Sequence, residues 1–370
     1  MRLIYLALAG SLLPLSSACG ADSQPAQTAA GAPVETRPAN DPNQKPAVEG
    51  QNRAPGVTTQ GTLTNSVIAS GLEKPWGLAL LPDNNWLVTE KAGRLRIVSA
   101  SGEIGAPITG VPAVDAAGQG GLLDVILDPA FEQNRTIYFS FAQPREGGNG
   151  TAVASARLSD DNTQLENLRI VFQVVDTYDG DKHYGSSLAF GPDGKLYITI
   201  GERSDRPKRN DAQSLSSHHG KVIRINADGS VPSDNPYVGR SGALPQIYTY
   251  GHRNPQGIAI QPGTGAVWTI EHGTRGGDEL NLIKPGNNYG WPVAAYGIEY
   301  SGDAIAGAVT AVDGTIQPVY YWDPVIAPGG MTFYQGEMFP EWNGNVLIAG
   351  LGGKHLVRLV IENDKVVGEQ

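Results

Sequence analysis

The stretch IYTYGHRNPQGIAIQPGTGAVWTIEHGTRGGDELNLIKPGNNYGWP, from Ile247 to Pro292, decides the fold of this 370-residue chain. Apolar residues alternate with other residues over Gly257–Ile260 and Ala266–Ile270, between turns rich in glycine and proline. Alternation at period two predicts two short β-strands. Polar residues cluster at the strand ends, which predicts a scaffold of strands that carries functional residues on its loops.

The same pattern occurs five times along the chain. Each copy has an apolar strand, a turn, a second apolar strand and a third strand after a polar break. The copies begin at Pro75, Gly120, Gly185, Pro255 and Pro328, and their third strands read GRLRIV, AVASARL, GKVIRI, DELNLI and KHLVRLVI. Repeats of this kind predict an all-β fold, a β-propeller with elaborated loops. An irregular sandwich or a parallel β-helix is the alternative, although neither accounts for the repeated turn.

The number of blades follows from the way in which propellers close. Propellers pair their two termini within one blade. Asn65–Gly71 (NSVIASG) resembles a strand without a partner in its own repeat. We therefore predict a six-bladed β-propeller over residues 59–370, whose last blade is truncated at the C-terminus.

The N-terminal region divides into two segments. Residues 1–19 contain Arg2, an apolar run and small residues before Cys19, the only cysteine, which predicts a signal peptide and a lipid anchor through Cys19. Residues 20–58 are poor in large apolar residues and are predicted to form a disordered linker. An exported chain of this kind is expected in the periplasm or cell envelope. Its formal charge of −10 argues against nucleic acid as a partner.

Polar residues at the starts of three repeats are predicted to converge. Gln119, His183 and Arg253 each stand just before the inner strand of a different repeat. Inner strands of a propeller line its channel, so the three side chains are expected at one mouth of the channel, as a ligand site requires. A histidine at such a position is suited to act as a general base. A structural, hydrogen-bonded imidazole is the alternative.

The loop from Gly273 to Tyr289 suits a calcium ion. Asp278 and Glu279 follow two glycines, and Asn281 comes next, which places hard oxygen ligands on a permissive backbone. A turn capped by the two carboxylates is the alternative, because the spacing is not that of an EF-hand. The sequence contains no dinucleotide-binding glycine motif, P-loop, nucleophile elbow or clustered Cys/His zinc ligands.

Several collinear motifs resemble those of a known family. They include PWGLALLPD, GQGGLLDVILDPAF, GSSLAFGPDGKLYITIGE, GHRNPQGIAI, EHGTRGGDELNLI and NNYGWP. They are similar to motifs of the soluble quinoprotein glucose/sorbosone dehydrogenases, and the bacterial aldose sugar dehydrogenases look closest. The resemblance implies a six-bladed propeller that binds pyrroloquinoline quinone (PQQ) through Ca²⁺. It also implies oxidation of aldose sugars at C1 to lactones, with hydride passing to the quinone and electrons to an external acceptor.

The resemblance implies roles for individual residues. His183 stands where the family has its general base, and Gln119 and Arg253 match residues of the reacting centre. Positions that match cofactor contacts or the wall of the site are Gln119, Arg253, Asn254, Glu202 and Trp322. Gly273 and Thr274 match positions whose carbonyls hold the calcium that bridges to the cofactor, and Glu279 and Tyr289 match ligands of a calcium that holds the loop.

The chain departs from the family pattern at two positions. Glu202 stands where the family usually has aspartate, and Gly352 stands where many members have lysine, with Lys354 two residues later. These departures keep open a non-catalytic, calcium-stabilised propeller that binds a glycan or a protein partner. A calcium-dependent lactone hydrolase is a further alternative, for which the nearby loops offer mainly Glu202 and Glu271.

Overall fold

A computed structural model describes residues 31–370, which form five antiparallel β-sheets in chain order. The first sheet contains β1 (Pro75–Leu80), β2 (Trp86–Glu90) and β3 (Arg94–Val98). The second contains β4 (Leu122–Leu127), β5 (Thr136–Arg145), β6 (Gly148–Leu158) and β7 (Leu165–Gln173). The third contains β8 (Leu188–Phe190), β9 (Lys195–Ile200), β10 (Lys221–Asn226) and β11 (Ile247–Tyr250). The fourth contains β12 (Pro255–Ile260), β13 (Val267–Glu271), β14 (Asp278–Ile283) and β15 (Tyr320–Trp322), and the fifth contains β16 (Pro328–Phe333), β17 (Val346–Gly350), β18 (His355–Glu362) and β19 (Lys365–Glu369).

The five sheets are the blades of a β-propeller. The inner strands β1, β4, β8, β12 and β16 contact one another in that order. The propeller prediction is therefore confirmed, but the prediction of six blades is wrong for residues 31–370, which form five. Asn65–Gly71, which was expected to supply a strand of a sixth blade, forms no strand. Its Val67 and Ile68 are 80% and 54% exposed, because no neighbouring strand pairs with this segment.

Helices in the described residues are single turns at the ends of strands. They are α1 (Phe131–Asn134), α2 (Arg206–Arg209) and two 3₁₀ turns at Asn210–Gln213 and Pro340–Trp342. The outer strands β11 and β15 contain four and three residues. Strands of that length are too short to show an alternating pattern, which explains why the sequence did not reveal them.

The core lies between neighbouring blades. One cluster joins Leu87 and Leu95 of the first blade to Leu122, Val125 and Phe139 of the second, all buried. Both faces of most strands are covered, since each blade packs against a blade on either side. The face-to-face packing of sheets places apolar side chains from both sheets in one layer.

A hydroxyl on the second strand of a blade hydrogen-bonds the backbone in, or just before, the inner strand of the next blade. The donor and acceptor residues are Thr89 and Leu123 (2.5 Å), Ser140 and Ser186 (2.7 Å), and Thr199 and Pro255 (3.0 Å), each bond ending on a backbone carbonyl. Thr269 occupies the matching position in the fourth blade, but its buried hydroxyl has no hydrogen-bond partner within residues 31–370. We call these contacts the inter-blade hydroxyl bonds.

Residues 31–58 are packed against the propeller, whereas composition predicted a disordered linker over residues 20–58. They lie against blades four and five, where Gln51 and Ala54 are each only 2% exposed. The backbone N–H of Ala54 donates to the hydroxyl of Tyr320 (2.8 Å), and that of Val57 donates to the carbonyl of Glu369 (2.9 Å). Polar side chains and backbone groups make most of these contacts, so a count of large apolar residues does not detect them.

Two predictions concern residues that the structure does not describe. The signal peptide over residues 1–19 and the lipid anchor at Cys19 lie outside residues 31–370. Within the described part of the chain, no helix is both long enough and apolar enough to cross a membrane.

Candidate active site

A cavity of about 250 Å³ opens where the inner strands of the propeller begin. It brings together Gln119, His183, Arg253 and Asn254, which the sequence predicted to converge. All five blades contribute to its wall, with Trp76 and Lys91 from the first, Gln119 from the second, His183 from the third, Arg253 from the fourth and Leu351 from the fifth. The convergence follows from the repeat, because matched positions of different blades meet around the channel.

His183 and Glu202 form a buried pair in this cavity. The Nδ1 atom of His183 lies 2.7 Å from Oε2 of Glu202. A carboxylate only accepts hydrogen bonds, so Nδ1 carries the proton and Nε2 is left with a free lone pair. Glu202 is fully buried, and its Oε1 has no partner within residues 31–370. The longer side chain of glutamate therefore reaches the histidine.

The surroundings of the pair keep the histidine neutral and the glutamate ionised. Burial lowers the pKa of His183 below its ordinary value; Glu202 raises that pKa and Arg253 lowers it. For Glu202, burial alone would raise the pKa, but His183 and Arg253 hold the pKa below its ordinary value. A neutral imidazole beside a carboxylate is the arrangement that a general base requires near neutral pH.

Backbone contacts fix the position of His183. Its N–H donates to Oε1 of Gln119 at 2.7 Å, and its φ of 49° lies in the left-handed region, which non-glycine residues seldom occupy. The guanidinium of Arg203 donates to the carbonyls of Lys182 (2.9 Å) and Gly180 (2.6 Å), just before His183. The loop is therefore held from several sides.

Gly201 allows two segments of the site to approach closely. A Cβ atom at this position would lie 2.3 Å from the carbonyl oxygen of His183 and 2.7 Å from Oδ1 of Asn254. Any side chain here would push Glu202, the next residue, away from the histidine. The glycine before Glu202 is thus required by the close approach of the two loops.

Arg253 supplies positive charge to the same cavity. It is 4% exposed, its Nη1 donates to the carbonyl of His272 (3.1 Å), and its backbone N–H donates to Oε2 of Glu271 (2.7 Å). Its guanidinium lies 5.3 Å from the centre of the Trp291 ring. The Nε atom is buried and has no hydrogen-bond partner among the described residues. Arg253 is therefore placed to stabilise negative charge on a ligand.

Asn254 joins the third and fourth blades at the cavity. Its Oδ1 accepts hydrogen bonds from the N–H of Gly185 (3.1 Å) and from Nε2 of Gln256 (3.2 Å). One expectation, that Trp322 forms part of the wall of the site, is not matched by the structure. Trp322 lies on the outer strand β15, where its Nε1 donates to Glu369 (2.8 Å), and it does not line the cavity. Lys354 is exposed and lies outside the cavity.

A small hollow beside the cavity contains the predicted calcium loop. Gly273, Glu279 and Tyr289 line this hollow together with Glu271. Glu271 and Glu279 stand directly opposite each other on β13 and β14. Burial, and then the charge of Glu271, raise the pKa of Glu279 well above its ordinary value. Two neighbouring carboxylates favour the binding of a cation, which removes their repulsion.

Other oxygen atoms of the predicted calcium loop also fit a hard cation. The Thr274 hydroxyl and Oδ1 of Asn281 are buried without a partner in the described part of the chain. The Tyr289 hydroxyl, in contrast, donates to the Leu282 carbonyl (2.7 Å) and accepts from the N–H of Lys284 (2.8 Å). Residues 31–370 contain no group of three or more His, Cys, Asp or Glu side chains placed to hold a metal. A calcium ion here therefore needs backbone carbonyls as ligands.

Several residues of the cavity were not predicted. They are Trp76, Lys91, Gln256, His272 and Tyr300. Lys91 and His272 directly follow the second strands of their blades, and Glu202 follows the second strand of its blade after one glycine. Polar residues just after a second strand could therefore have been predicted to lie in the cavity. Tyr300 lies in the long connection between β14 and β15, where the sequence shows no repeat. Only the tertiary structure places it in the wall.

Comparison with known proteins assigns the fold and site to a family. The model of the Glucose / Sorbosone dehydrogenase family matches residues 72–370. The chain belongs to the glucose/sorbosone dehydrogenase family. The chain is 44% identical over 308 residues to the aldose sugar dehydrogenase YliI of Escherichia coli (strain K12). The matched region covers 82% of this chain and 82% of the relative.

Solved structures agree with the assignment to the glucose/sorbosone dehydrogenases. The crystal structure of a glucose dehydrogenase matches with a TM-score of 0.80 and 48% identity, covering 82% of this chain and 88% of that chain. The PQQ-bound form of an aldose sugar dehydrogenase from Streptomyces coelicolor matches with a TM-score of 0.68 and 31% identity, covering 82% and 83%. The predicted family is confirmed, and the protein is an oxidoreductase of the sugar dehydrogenase class.

Proposed function

We propose that the protein oxidises aldose sugars at C1 to lactones, with PQQ and Ca²⁺ as cofactors and His183 as general base. The observation that carries this proposal is the His183–Glu202 pair, 2.7 Å apart, in a cavity that Arg253 also lines. The PQQ-bound relative supports the choice of cofactor. The substrate class follows from the sugar dehydrogenases to which the chain is similar.

The residues of the cavity fit an anionic quinone. Arg253 and Lys91 provide positive charge, and the buried Nε atom of Arg253 has no partner in residues 31–370. Gln119, Arg253 and Asn254 would hold the cofactor, with Glu202 behind the histidine. When bound, PQQ supplies the acceptor for the hydride that leaves C1 of the sugar.

The chain's own residues move and stabilise charge during the reaction. The Nε2 atom of His183 takes the proton of the C1 hydroxyl while the C1–H electron pair leaves, and a C=O bond forms at C1. Glu202 stabilises the imidazolium that results, because its carboxylate already holds Nδ1–H. Arg253 presents guanidinium N–H groups to oxygen atoms on which negative charge develops.

The calcium loop is proposed to hold the metal beside the cavity. The carboxylate of Glu279 would be a ligand of a calcium that holds the loop, together with Tyr289 through its backbone, since the Tyr289 hydroxyl is already bonded twice. The carbonyls of Gly273 and Thr274 would hold the calcium that contacts the cofactor. Calcium supplies a Lewis acid at this position. We place the protein in the periplasm or cell envelope, where it would pass electrons to an external acceptor.

Substitution of the histidine tests the proposal. With PQQ and Ca²⁺ present, His183→Ala is expected to lower turnover of glucose by about 10²–10⁴-fold, the usual contribution of a general base. PQQ affinity, measured by calorimetric titration, should stay close to that of the parent chain. His355→Ala is a matched control, because His355 is exposed and outside the cavity.

Two results would contradict the proposal. Unchanged turnover in His183→Ala would remove the assigned role of the histidine. A parent chain that binds no PQQ, or binds it without any absorbance change when sugar is added, would favour a calcium-stabilised propeller that only binds a glycan or a protein partner.

A further inference from the structure

Tyr300 differs from His183 and Arg253, which line the same cavity, in its exposure. It lines the cavity but is 69% exposed, whereas His183 and Arg253 are 5% and 4% exposed. Tyr300 therefore lies at the rim, and the histidine and arginine lie at the floor. A molecule that enters after the floor is occupied meets the rim, to which the tyrosine belongs. An exposed aromatic ring at the rim of a polar cavity points to a ligand with an apolar face.

Arg253 is the direct link between Tyr300 and the floor of the cavity. Its Nη2 lies 3.4 Å from the Tyr300 hydroxyl, and its guanidinium carbon lies 6.0 Å from the centre of the tyrosine ring. The same guanidinium faces the Trp291 ring at 5.3 Å. The guanidinium of Arg209 lies 5.0 Å from the centre of the same Trp291 ring.

An ion pair connects Arg209 to the residue that precedes Tyr300. Arg209 Nη1 lies 2.5 Å from Oε1 of Glu299, the residue before Tyr300. Their side chains are only 16% and 9% exposed. Arg209 belongs to α2, between β9 and β10, while Glu299 belongs to the connection between β14 and β15. The ion pair therefore fastens the rim loop of the fourth blade to the third blade.

We propose that Tyr300 is a specificity-determining residue that contacts the aldose ring, and that the Arg209–Glu299 ion pair is its positioning device. This rests on the proposed function, because it names the residue that receives that substrate. One face of a sugar ring presents C–H groups and its edge presents hydroxyls, and a tyrosine offers an aromatic face and a hydroxyl to match. The position of Tyr300 at the rim favours contact with the sugar, since Arg253 and Asn254, which would hold the cofactor, are 4% and 3% exposed.

Substitution of Tyr300 separates sugar contact from cofactor contact. With saturating PQQ and Ca²⁺, Tyr300→Ala is expected to raise the KM for glucose about tenfold, from lost area and stacking, with kcat little changed. Tyr300→Phe keeps the ring and should raise KM only about two- to threefold. PQQ affinity, measured by calorimetric titration, should remain that of the parent chain in both variants.

Substitution of Glu299 tests the positioning device. Glu299→Gln keeps the shape of the side chain but removes the charge that holds Arg209, and KM is expected to rise about threefold with kcat unchanged. Glu166→Gln is the matched control, since Glu166 pairs with Arg157 on the second blade (2.8 Å), away from the cavity. It should leave KM unchanged. A loss of kcat and thermal stability in Glu299→Gln without a rise in KM would indicate a structural role alone.

The outcomes distinguish this inference from the proposed function. An unchanged KM in Tyr300→Ala, with the parent enzyme active, overturns the inference and leaves the function standing. Weaker PQQ binding with an unchanged KM also overturns it, because the ring would then contact the cofactor. If the parent chain oxidises no aldose, the function fails, and direct calorimetric titration of glucose into both proteins decides the inference. Weaker binding of glucose to Tyr300→Ala than to the parent chain supports the inference. Equal binding to the two proteins, or binding to neither, overturns it.

Discussion

The neighbours of His183 fix its backbone conformation, its burial and its hydrogen bond. Its left-handed backbone, its buried ring and its bond to Glu202 are all imposed by the loops around it. Glu202 replaces the shorter aspartate expected from the family pattern, yet its Oε2 still lies within 2.7 Å of the ring. Gly201 allows this, since it brings the two loops together without a side chain between them. The substitution therefore preserves the hydrogen bond.

The pH profile of turnover should report the environment of His183. Because burial lowers the pKa of His183, the neutral, active form persists below the ordinary value of 6.5. We expect kcat/KM to fall on the acid side only below about pH 6.5, as the pH drops through the lowered pKa. An acid limb above that value would contradict the assignment of His183 as the titrating base.

Removal of the Glu202 charge should shift this profile in a defined direction. Glu202 raises the pKa of His183, so Glu202→Gln is expected to lower that pKa further and move the acid limb to lower pH. Turnover at the plateau should fall about tenfold or more, because an uncharged amide stabilises the imidazolium less well. Glu202→Asp is the control that keeps the charge. A profile in Glu202→Gln that shifts upward, or does not shift, contradicts the proposed pair.

At the scale of the structural elements, the inter-blade hydroxyl bonds hold neighbouring blades in register. Thr199 is fully buried, accepts from the N–H of Ser187 (2.9 Å) and donates to the carbonyl of Pro255 (3.0 Å). Both strand starts lie at the cavity, since β8 follows His183 and β12 follows Arg253. The bond between blades three and four therefore also fixes the distance between His183 and Arg253.

Two matched substitutions test the inter-blade hydroxyl bonds. Thr199→Val leaves the Ser187 N–H and the Pro255 carbonyl without this partner, and should lower the free energy of unfolding by about 1–3 kcal/mol. Thr269→Val is the same substitution at a buried hydroxyl that has no hydrogen-bond partner within residues 31–370. It should be neutral or stabilising by up to about 1 kcal/mol. Urea unfolding midpoints at equal slope measure both, and equal losses would show that the bonds contribute nothing specific.

At the scale of the whole molecule, residues 31–58 tie two blades together from outside. Gln51 donates from Nε2 to the carbonyl of Pro318 (2.8 Å), and Arg53 donates from Nη2 to the carbonyl of Asp323 (3.0 Å), both beside the fourth blade. The backbone of Val57 reaches Glu369 on the fifth blade. Gln44 also bonds both backbone groups of Gly297, close to the loop that carries Tyr300. The segment is therefore part of the folded unit.

Shortening the chain tests this role. A protein that begins at residue 59 should melt about 5 °C or more below one that begins at residue 31, because several buried hydrogen bonds and the cover of β15 and β19 are lost. Differential scanning calorimetry of both proteins, without ligand, makes the comparison. Equal melting temperatures would mean that residues 31–58 contribute no stability, and would support the prediction that they form a linker.

The sequence by itself determined the all-β repeat, the starts of the blades and the meeting of Gln119, His183 and Arg253 at one mouth. Alternating strands and glycine or proline turns are local signals, and a repeat carries matched positions to matched places. The tertiary structure alone decided the lack of a strand at Asn65–Gly71, the inter-blade hydroxyl bonds, the place of Trp322 away from the cavity, the packing of residues 31–58 and the position of Tyr300 at the rim. Each of these depends on contacts between residues far apart in the chain, on which a local pattern carries no information.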